Sequence, residues 1–206
     1  MQHKDEFLRL PEDKQKAIVS SAMRVFAASG YKKAYVSEIA SAAGISKALV
    51  FYYFGTKKAL YLFLVDHAYN LMMTELHGSK INETDDFFDR INRIASVELN
   101  LMKQQPAITG FMNSMYFEAD AEVAADLRKL IVEGGPTRES LALSGVDLSR
   151  FKDGVDPKLV VNILVKFTEG VVNSRTNAES FEESMDEFNS CLELLRNNLY
   201  KEEFLK

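Results

Sequence analysis

"GISKALVFYYFGTKKAL", residues 44–60, sets four aromatic side chains in succession, Phe51-Tyr52-Tyr53-Phe54, between Lys47 on one side and Lys57-Lys58 on the other. A helix buried on every side would not carry three lysines so near such a cluster, and a solvated helix would not carry the cluster. Helical spacing divides the roles. Val50 and Phe54 share one face, with Ile45 just ahead of the helix, and are expected to lock it onto the helix before it. Lys47, Ala48, Phe51 and Tyr52 follow i, i+1, i+4, i+5 spacing and share another face, with Tyr53 at its margin. Ser46 can cap the helix through its hydroxyl.

Working outward, Gly44-Ile45-Ser46 reads as a tight turn, and a short helix from about Ser37 to Ala43 precedes it, with Ile39, Ala40 and Ala43 inward. Two short helices about such a turn have the spacing of a helix-turn-helix, in which one helix braces on the DNA backbone while the second enters the major groove. The outward face suits that place. Lysine reaches guanine acceptors or phosphates, and an alanine methyl or a phenyl ring packs on the thymine methyl. Tyrosine hydroxyls donate to phosphate oxygens. Lys57, in the first turn of the next helix, is expected to point at the DNA backbone together with the amide groups of that terminus. The expected DNA-binding residues are Ser37, Ser46, Lys47, Ala48, Phe51, Tyr52, Tyr53 and Lys57.

Gly44, Ile45, Ser46, Val50, Phe51, Tyr53, Phe54, Thr56, Lys57 and Leu60 fall on the pattern G-V-S-x-x-x-L-Y-x-Y-F-x-[ST]-K-x-x-L. The segment thus resembles the recognition region of TetR-type transcriptional regulators. Upstream, "AIVSSAMRVFAASGYKKAYVSEIASAAG" is similar to the first two helices of the same family, through Phe26, Gly30, Ile39-Ala40 and Gly44. The resemblance implies a three-helix DNA-binding domain and a larger helical domain for ligand binding and dimerisation. Four positions depart from the pattern. Tyr35 stands where a Ser or Thr commonly caps the second helix, so Ser37 is expected to cap a later start. Phe51 replaces a frequent tyrosine, Leu49 a smaller or polar residue, and Lys58 a frequent glutamate.

Charge is divided along the chain. Residues 1–60 hold ten Lys/Arg and five Asp/Glu, while residues 61–206 hold fifteen and twenty-five, so a basic first quarter of +5 precedes an acidic remainder of −10. That asymmetry suggests one end that meets a polyanion and another that does not. Hydrophobic residues make up 47% and charged residues 27%, enough apolar content to bury a substantial core. The charged beginning carries no secretory signal, and no apolar run approaches the roughly 20 residues that span a bilayer, so no membrane association is expected. A single cysteine, Cys191, suits a reducing cytoplasm and reads as a structural thiol in the last helix.

Four prolines and ten glycines fall between periodic segments, the punctuation of an all-α protein. The first helix is expected from about Pro11 to Ser29, with Gly30 stopping it, and a long helix from Lys57 to about His77. Thr84 can cap a helix from Asp85 to about Gln105, and another runs from about Ala119 to Val132. Residues Leu143–Gly154 read as a loop with a helical turn. Asp156-Pro157 starts a helix to about Ser174, and the last runs from about Phe181 to Tyr200. The expected division is 1–56 for DNA binding and 57–206 for ligand binding and dimerisation.

Leu159, Ile163, Phe167 and Val171 on one of the last two helices, with Phe188, Leu192 and Leu195 on the other, form apolar stripes wider than one partner helix covers, and predict a homodimer. In the related family these two helices pair with their copies. Met102, Phe111, Met112, Met115 and Tyr116, with Phe167 from a later helix, are the candidate lining of an adaptable apolar pocket. These residue types equally suit an ordinary core.

The sequence shows no catalytic constellation. His3, His67 and His77 have no second ligand at metal-binding spacing, and phosphate-loop, H-E-x-x-H and G-x-S-x-G motifs are missing. No enzyme activity, cofactor or metal is expected. The resulting expectation is a cytoplasmic repressor whose dimer holds a palindromic double-stranded DNA operator and leaves it when a small, largely apolar effector binds. The alternative is a helical dimeric sensor or adaptor without sequence-specific DNA binding, which would not be retained on heparin.

Overall fold

The computed structural model describes residues 3–133, 137–174 and 179–205. Among them the chain is helical, with no strand and one isolated β-bridge between Phe151 and Tyr200. The helices are α1 (Lys4–Leu8), α2 (Glu12–Lys33), α3 (Val36–Ala42), α4 (Lys47–Phe54), α5 (Lys57–Gly78), α6 (Phe87–Gln104), α7 (Pro106–Tyr116), α8 (Ala124–Glu133), α9 (Arg138–Leu143), α10 (Pro157–Ser174) and α11 (Glu179–Leu199). No single described helix is long and apolar enough to cross a membrane.

Two compact units divide the chain, Met1–Glu75 with Glu98–Gly135, and Leu76–Val97 with Pro136–Lys206. In the first unit α2 brings Ile18, Ala22 and Phe26 into a core shared with Ile39 of α3, Val50 and Phe54 of α4, Leu60 and Leu64 of α5, and Phe111 of α7. Each of these side chains larger than alanine contributes about 1.5–3 kcal/mol by leaving water. Packing of α2 on α7 is close: a Cβ added at Gly110 would lie 3.5 Å from the Cβ of Ala27. An aromatic group of Phe26, Tyr61 and Phe111 fills the same seam, with ring centroids 5.0 and 5.3 Å from Tyr61.

Several boundaries differ from the sequence reading. A short helix, α1, precedes Pro11, held by the fully buried Phe7. Gly30 has φ 68° and ψ 170°, which breaks α2, yet the chain makes one more turn before Ala34. α6 starts at Phe87, capped by Asp86 rather than Thr84. The Asp86 Oδ1 accepts the Asp89 N–H at 2.9 Å, while Thr84 Oγ1 accepts the Asp86 N–H. α8 begins at Ala124, after a turn closed by Asp120. Asp156 and Pro157 open α10 as expected, the Asp156 carboxylate accepting the Lys158 N–H at 2.9 Å.

The second unit is centred on Phe87, Phe88, Phe151 and Tyr200, with Val160 and Leu164 of α10 and Phe188 and Leu192 of α11. Phe188 and Leu192 are therefore core of their own chain, which corrects their assignment to an intersubunit stripe. Among the described residues, Leu159, Ile163 and, on α11, Leu194 are the large apolar side chains left exposed on these two helices. Cys191 packs partly buried against this core, and burial pushes its thiol pKa up.

Candidate nucleic-acid interface

The α3–α4 pair is set by three local devices. Gly44 takes φ 67°, which reverses the chain between the helices at no Cβ cost. The Ser46 hydroxyl accepts the Leu49 N–H at 3.1 Å, the N-cap expected of it. The buried Ser21 of α2 donates to the Ala42 carbonyl at 3.1 Å and so satisfies the end of α3. At the start of α3 the cap position belongs to Tyr35, whose side chain is exposed and makes no cap bond. Ser37 lies within the helix and does not cap it, contrary to the expectation that it marks a later start.

α4 presents its faces largely as its spacing implies. Val50 and Phe54 are buried, while Ser46, Lys47 and Ala48 are exposed, and so is Tyr52 at 42%. Phe51 is half-buried against the core, and the Lys47 ammonium stands 5.9 Å from the centre of its ring. Tyr53 is the exception. Only 7% exposed, it packs edge-on to Phe7 at 5.8 Å, and its carbonyl accepts the His3 N–H at 3.2 Å. It belongs to the core, because α1 covers the edge of α4 that helical spacing alone left at the margin.

The lysines after α4 are both held by partners within the chain. Lys57 donates to the carbonyls of Tyr31 at 2.8 Å, Lys32 at 3.2 Å and Ala34 at 3.2 Å, and its ammonium lies 4.5 Å from the centre of the Tyr31 ring. All three ammonium protons have partners, so Lys57 stitches the end of α2 rather than reaching outward. Lys58 pairs with Asp126 at 2.6 Å and holds that carboxyl below its ordinary range. Lys57→Met is expected to lower stability by about 1–3 kcal/mol in a thermal melt, with the salt dependence of DNA binding unchanged. A slope reduced by about one, with unchanged melting, would instead put Lys57 on a phosphate.

Two residues outside the sequence expectation join the face, His3 and Glu6, and a third lies beside α3. Tyr35 is a large exposed aromatic beside α3. His3 stacks on the Tyr52 ring, centroids 4.2 Å apart and 10° from parallel, and the Tyr52 hydroxyl donates to Glu6 Oε2. That bond pushes the Tyr52 phenol pKa up. His3 Nδ1 also lies 3.5 Å from Glu6 Oε1. A five-residue helix is too short to announce itself by periodicity, so the signal that finds these two is Phe7, a lone aromatic among charges.

Of the candidate pocket residues, Phe111 and Met115 are buried in the core of the first unit and Met112 is half-buried against it. Phe167 stacks with Phe188 in the second unit, centroids 6.4 Å apart. The side chains of Met102 and Tyr116 lie outside the described residues, as does that of Val171. Just beyond α7, the Glu118 carboxylate accepts the Tyr31 N–H at 2.7 Å and the Asp120 N–H at 2.9 Å, tying the end of α7 to the break in α2. Among the described residues no group of three or more His, Cys, Asp or Glu could hold a metal ion.

Comparison with known proteins agrees with this geometry. The family model described as bacterial regulatory proteins, tetR family, matches residues 18–63. The uncharacterized HTH-type transcriptional regulator YuxN of Bacillus subtilis (strain 168) is 35% identical over 69 residues, 34% of this chain and 24% of YuxN. The match thus spans about a quarter of that relative's length. A TetR family transcriptional regulator from Chloroflexus aurantiacus J-10-FL has a similar fold, with TM-score 0.71 at 19% identity, over 96% of this chain and 98% of that one. So does the transcriptional regulator FadR of Bacillus subtilis in complex with stearoyl-CoA, with TM-score 0.67 at 18% identity, over 87% of this chain and 96% of FadR.

Proposed function

We propose, for a chain whose residues 18–63 match the tetR family of bacterial regulatory proteins and whose fold is similar to that of a TetR family regulator, a cytoplasmic repressor that binds a palindromic operator as a homodimer and is released by a small, largely apolar effector. Residues 1–56 carry the DNA-binding role in this reading, and residues 57–206 the effector and dimer roles. The observation that supports it most is the outer face of α4. Lys47, Ala48 and Tyr52 stand exposed beside the Ser46 cap, while Val50 and Phe54 fix the helix from behind. Lysine for base acceptors, a methyl for thymine and a capped, rigid helix are the parts of a major-groove reader.

The effector reading rests on the Phe- and Met-rich α7 and on its seam with α2. FadR, a distant structural relative, was solved with stearoyl-CoA, a ligand with a long apolar chain. Movement of α7 would reach the DNA-binding helices directly, because Gly110 sits against Ala27 and Glu118 holds the Tyr31 amide. An effector that favours the DNA-incompetent arrangement 100-fold would couple the two events by about 2.7 kcal/mol, and DNA would weaken effector binding by the same factor.

The test is selection of a preferred site from a randomised duplex library, repeated with Lys47→Ala. The wild type should select a palindrome with half-sites about one helical turn, roughly 34 Å, apart. Lys47→Ala should relax the preference at one or two positions in each half-site, with about 1–3 kcal/mol lost there. A chain that selects no sequence and is not retained on heparin would favour the adaptor reading.

A further inference from the structure

We propose that Glu6 sets the affinity of the DNA-binding face: it occupies the Tyr52 hydroxyl and places a negative charge on the recognition helix, so DNA must displace it. The inference rests on the reading of α4 as the DNA-binding helix.

A carboxylate is the group least expected on a surface that meets phosphates, and its position here is built. Phe7 is fully buried against Tyr53, Phe54 and Phe63, with ring centroids 5.8, 5.1 and 5.5 Å away, and this anchors α1 beside α4. The anchor leaves Glu6, one residue earlier, exposed within reach of Tyr52. His3 closes the arrangement, its imidazole flat on the Tyr52 ring, its amide on the Tyr53 carbonyl, and its Nδ1 near the second Glu6 oxygen. Both sides of Tyr52 are thus committed, one face to His3 and the hydroxyl to Glu6.

The consequence follows from donor counting. A phenol has one proton to donate, and while Glu6 accepts it none is left for a phosphate oxygen. The carboxylate also repels the phosphates that approach Tyr52. Both effects weaken binding to any DNA sequence, because neither involves a base edge. When DNA docks, the Tyr52 hydroxyl has to exchange Glu6 for phosphate, and α1 has to carry the carboxylate aside while Phe7 stays in the core.

Glu6→Gln keeps size and removes charge, and Glu6→Ala removes the acceptor. Binding is read by fluorescence anisotropy on a mixed-sequence duplex of about three helical turns across a salt series. Glu6→Gln is expected to tighten binding several-fold and to steepen the salt slope by about one. Glu6→Ala should tighten it about tenfold, and Tyr52→Phe should then reverse part of that gain, although in the wild type the same change alters affinity less than twofold. Thermal melts of each variant report whether α1 still packs. Glu6 variants that melt as the wild type and bind DNA equally or more weakly overturn the proposal, leaving Glu6 as a structural partner of α1. Failure of the wild type to bind any duplex at low salt overturns the DNA-binding reading itself, a result distinct from equal affinities.

Discussion

Asp86→Ala should lower the stability of the chain by about 2–4 kcal/mol, a drop of roughly 5–15 °C in a thermal melt. Asp86 is nearly fully buried and does three jobs with one carboxylate. Its Oδ1 caps α6 through the Asp89 N–H, and loss of such a cap costs about 1 kcal/mol. Its Oδ2 accepts from Arg150 at 3.0 Å and from Arg196 at 3.3 Å. Arg150 is the more buried of the two and suffers more from losing the carboxylate, although Asp85 at 2.6 Å remains to it. Arg196 is partly solvated, so water screens its share of the loss. The next residue joins the same knot: the Phe87 N–H donates to the buried Tyr200 hydroxyl at 3.0 Å, and Tyr200 packs on Phe88 and Phe151. Asp86→Asn retains an oxygen for the cap and loses the charge, so it should fall between wild type and Asp86→Ala. Equal stability of all three proteins in differential scanning calorimetry would mean that both arginines rest on their other partners and on water.

The contrast between Asp86 and the DNA-binding face shows where sequence reading reaches and where it stops. In "TDDFF", residues 84–88, each of the first three side chains can cap a helix, and spacing does not choose among them. Two arginines 64 and 110 residues away select the third. Lys57 posed the same difficulty. Its charge was plain, but the three carbonyls that hold it come from the broken end of α2, which reaches it only through the tertiary fold. Within α4 the opposite holds. The Ser46 cap, the buried Val50 and Phe54 and the exposed Lys47, Ala48 and Tyr52 all follow from one period of 3.6 residues and the chemistry of a helix end. Tyr53 departs from that period because α1 covers it, and α1 is too short to be periodic. Local rules therefore disclose the proposed reading helix, and long-range contacts decide which of its neighbours are free.

Ile163→Glu should convert the proposed homodimer to monomers and weaken binding to a two-half-site operator by at least about 100-fold. The described residues leave three large apolar side chains uncovered on the last two helices, Leu159 at 56% and Ile163 at 47% on α10, and Leu194 at 64% on α11. Leu159, Ile163 and Gly170 stand at i, i+4 and i+11, one stripe of α10, and a Cβ at Gly170 would meet open space within this chain. Such a stripe, smooth at one end and apolar at the other, allows a second helix to approach closely. Glutamate at position 163 would bury a charge in that interface while remaining solvated in the monomer, so the fold of each chain should survive. The two effects are separable. Light scattering reports the mass, a melt reports the fold, and a duplex with a single half-site reports what one DNA-binding unit does alone. On that half-site the variant and the wild type should bind with the same affinity, since the large loss arises from tethering two recognition helices rather than from any contact Ile163 makes. A variant that remains dimeric would move the interface off α10. A variant that is monomeric yet holds the full operator as tightly as the wild type would show that one unit suffices, and that the palindrome has no part in recognition.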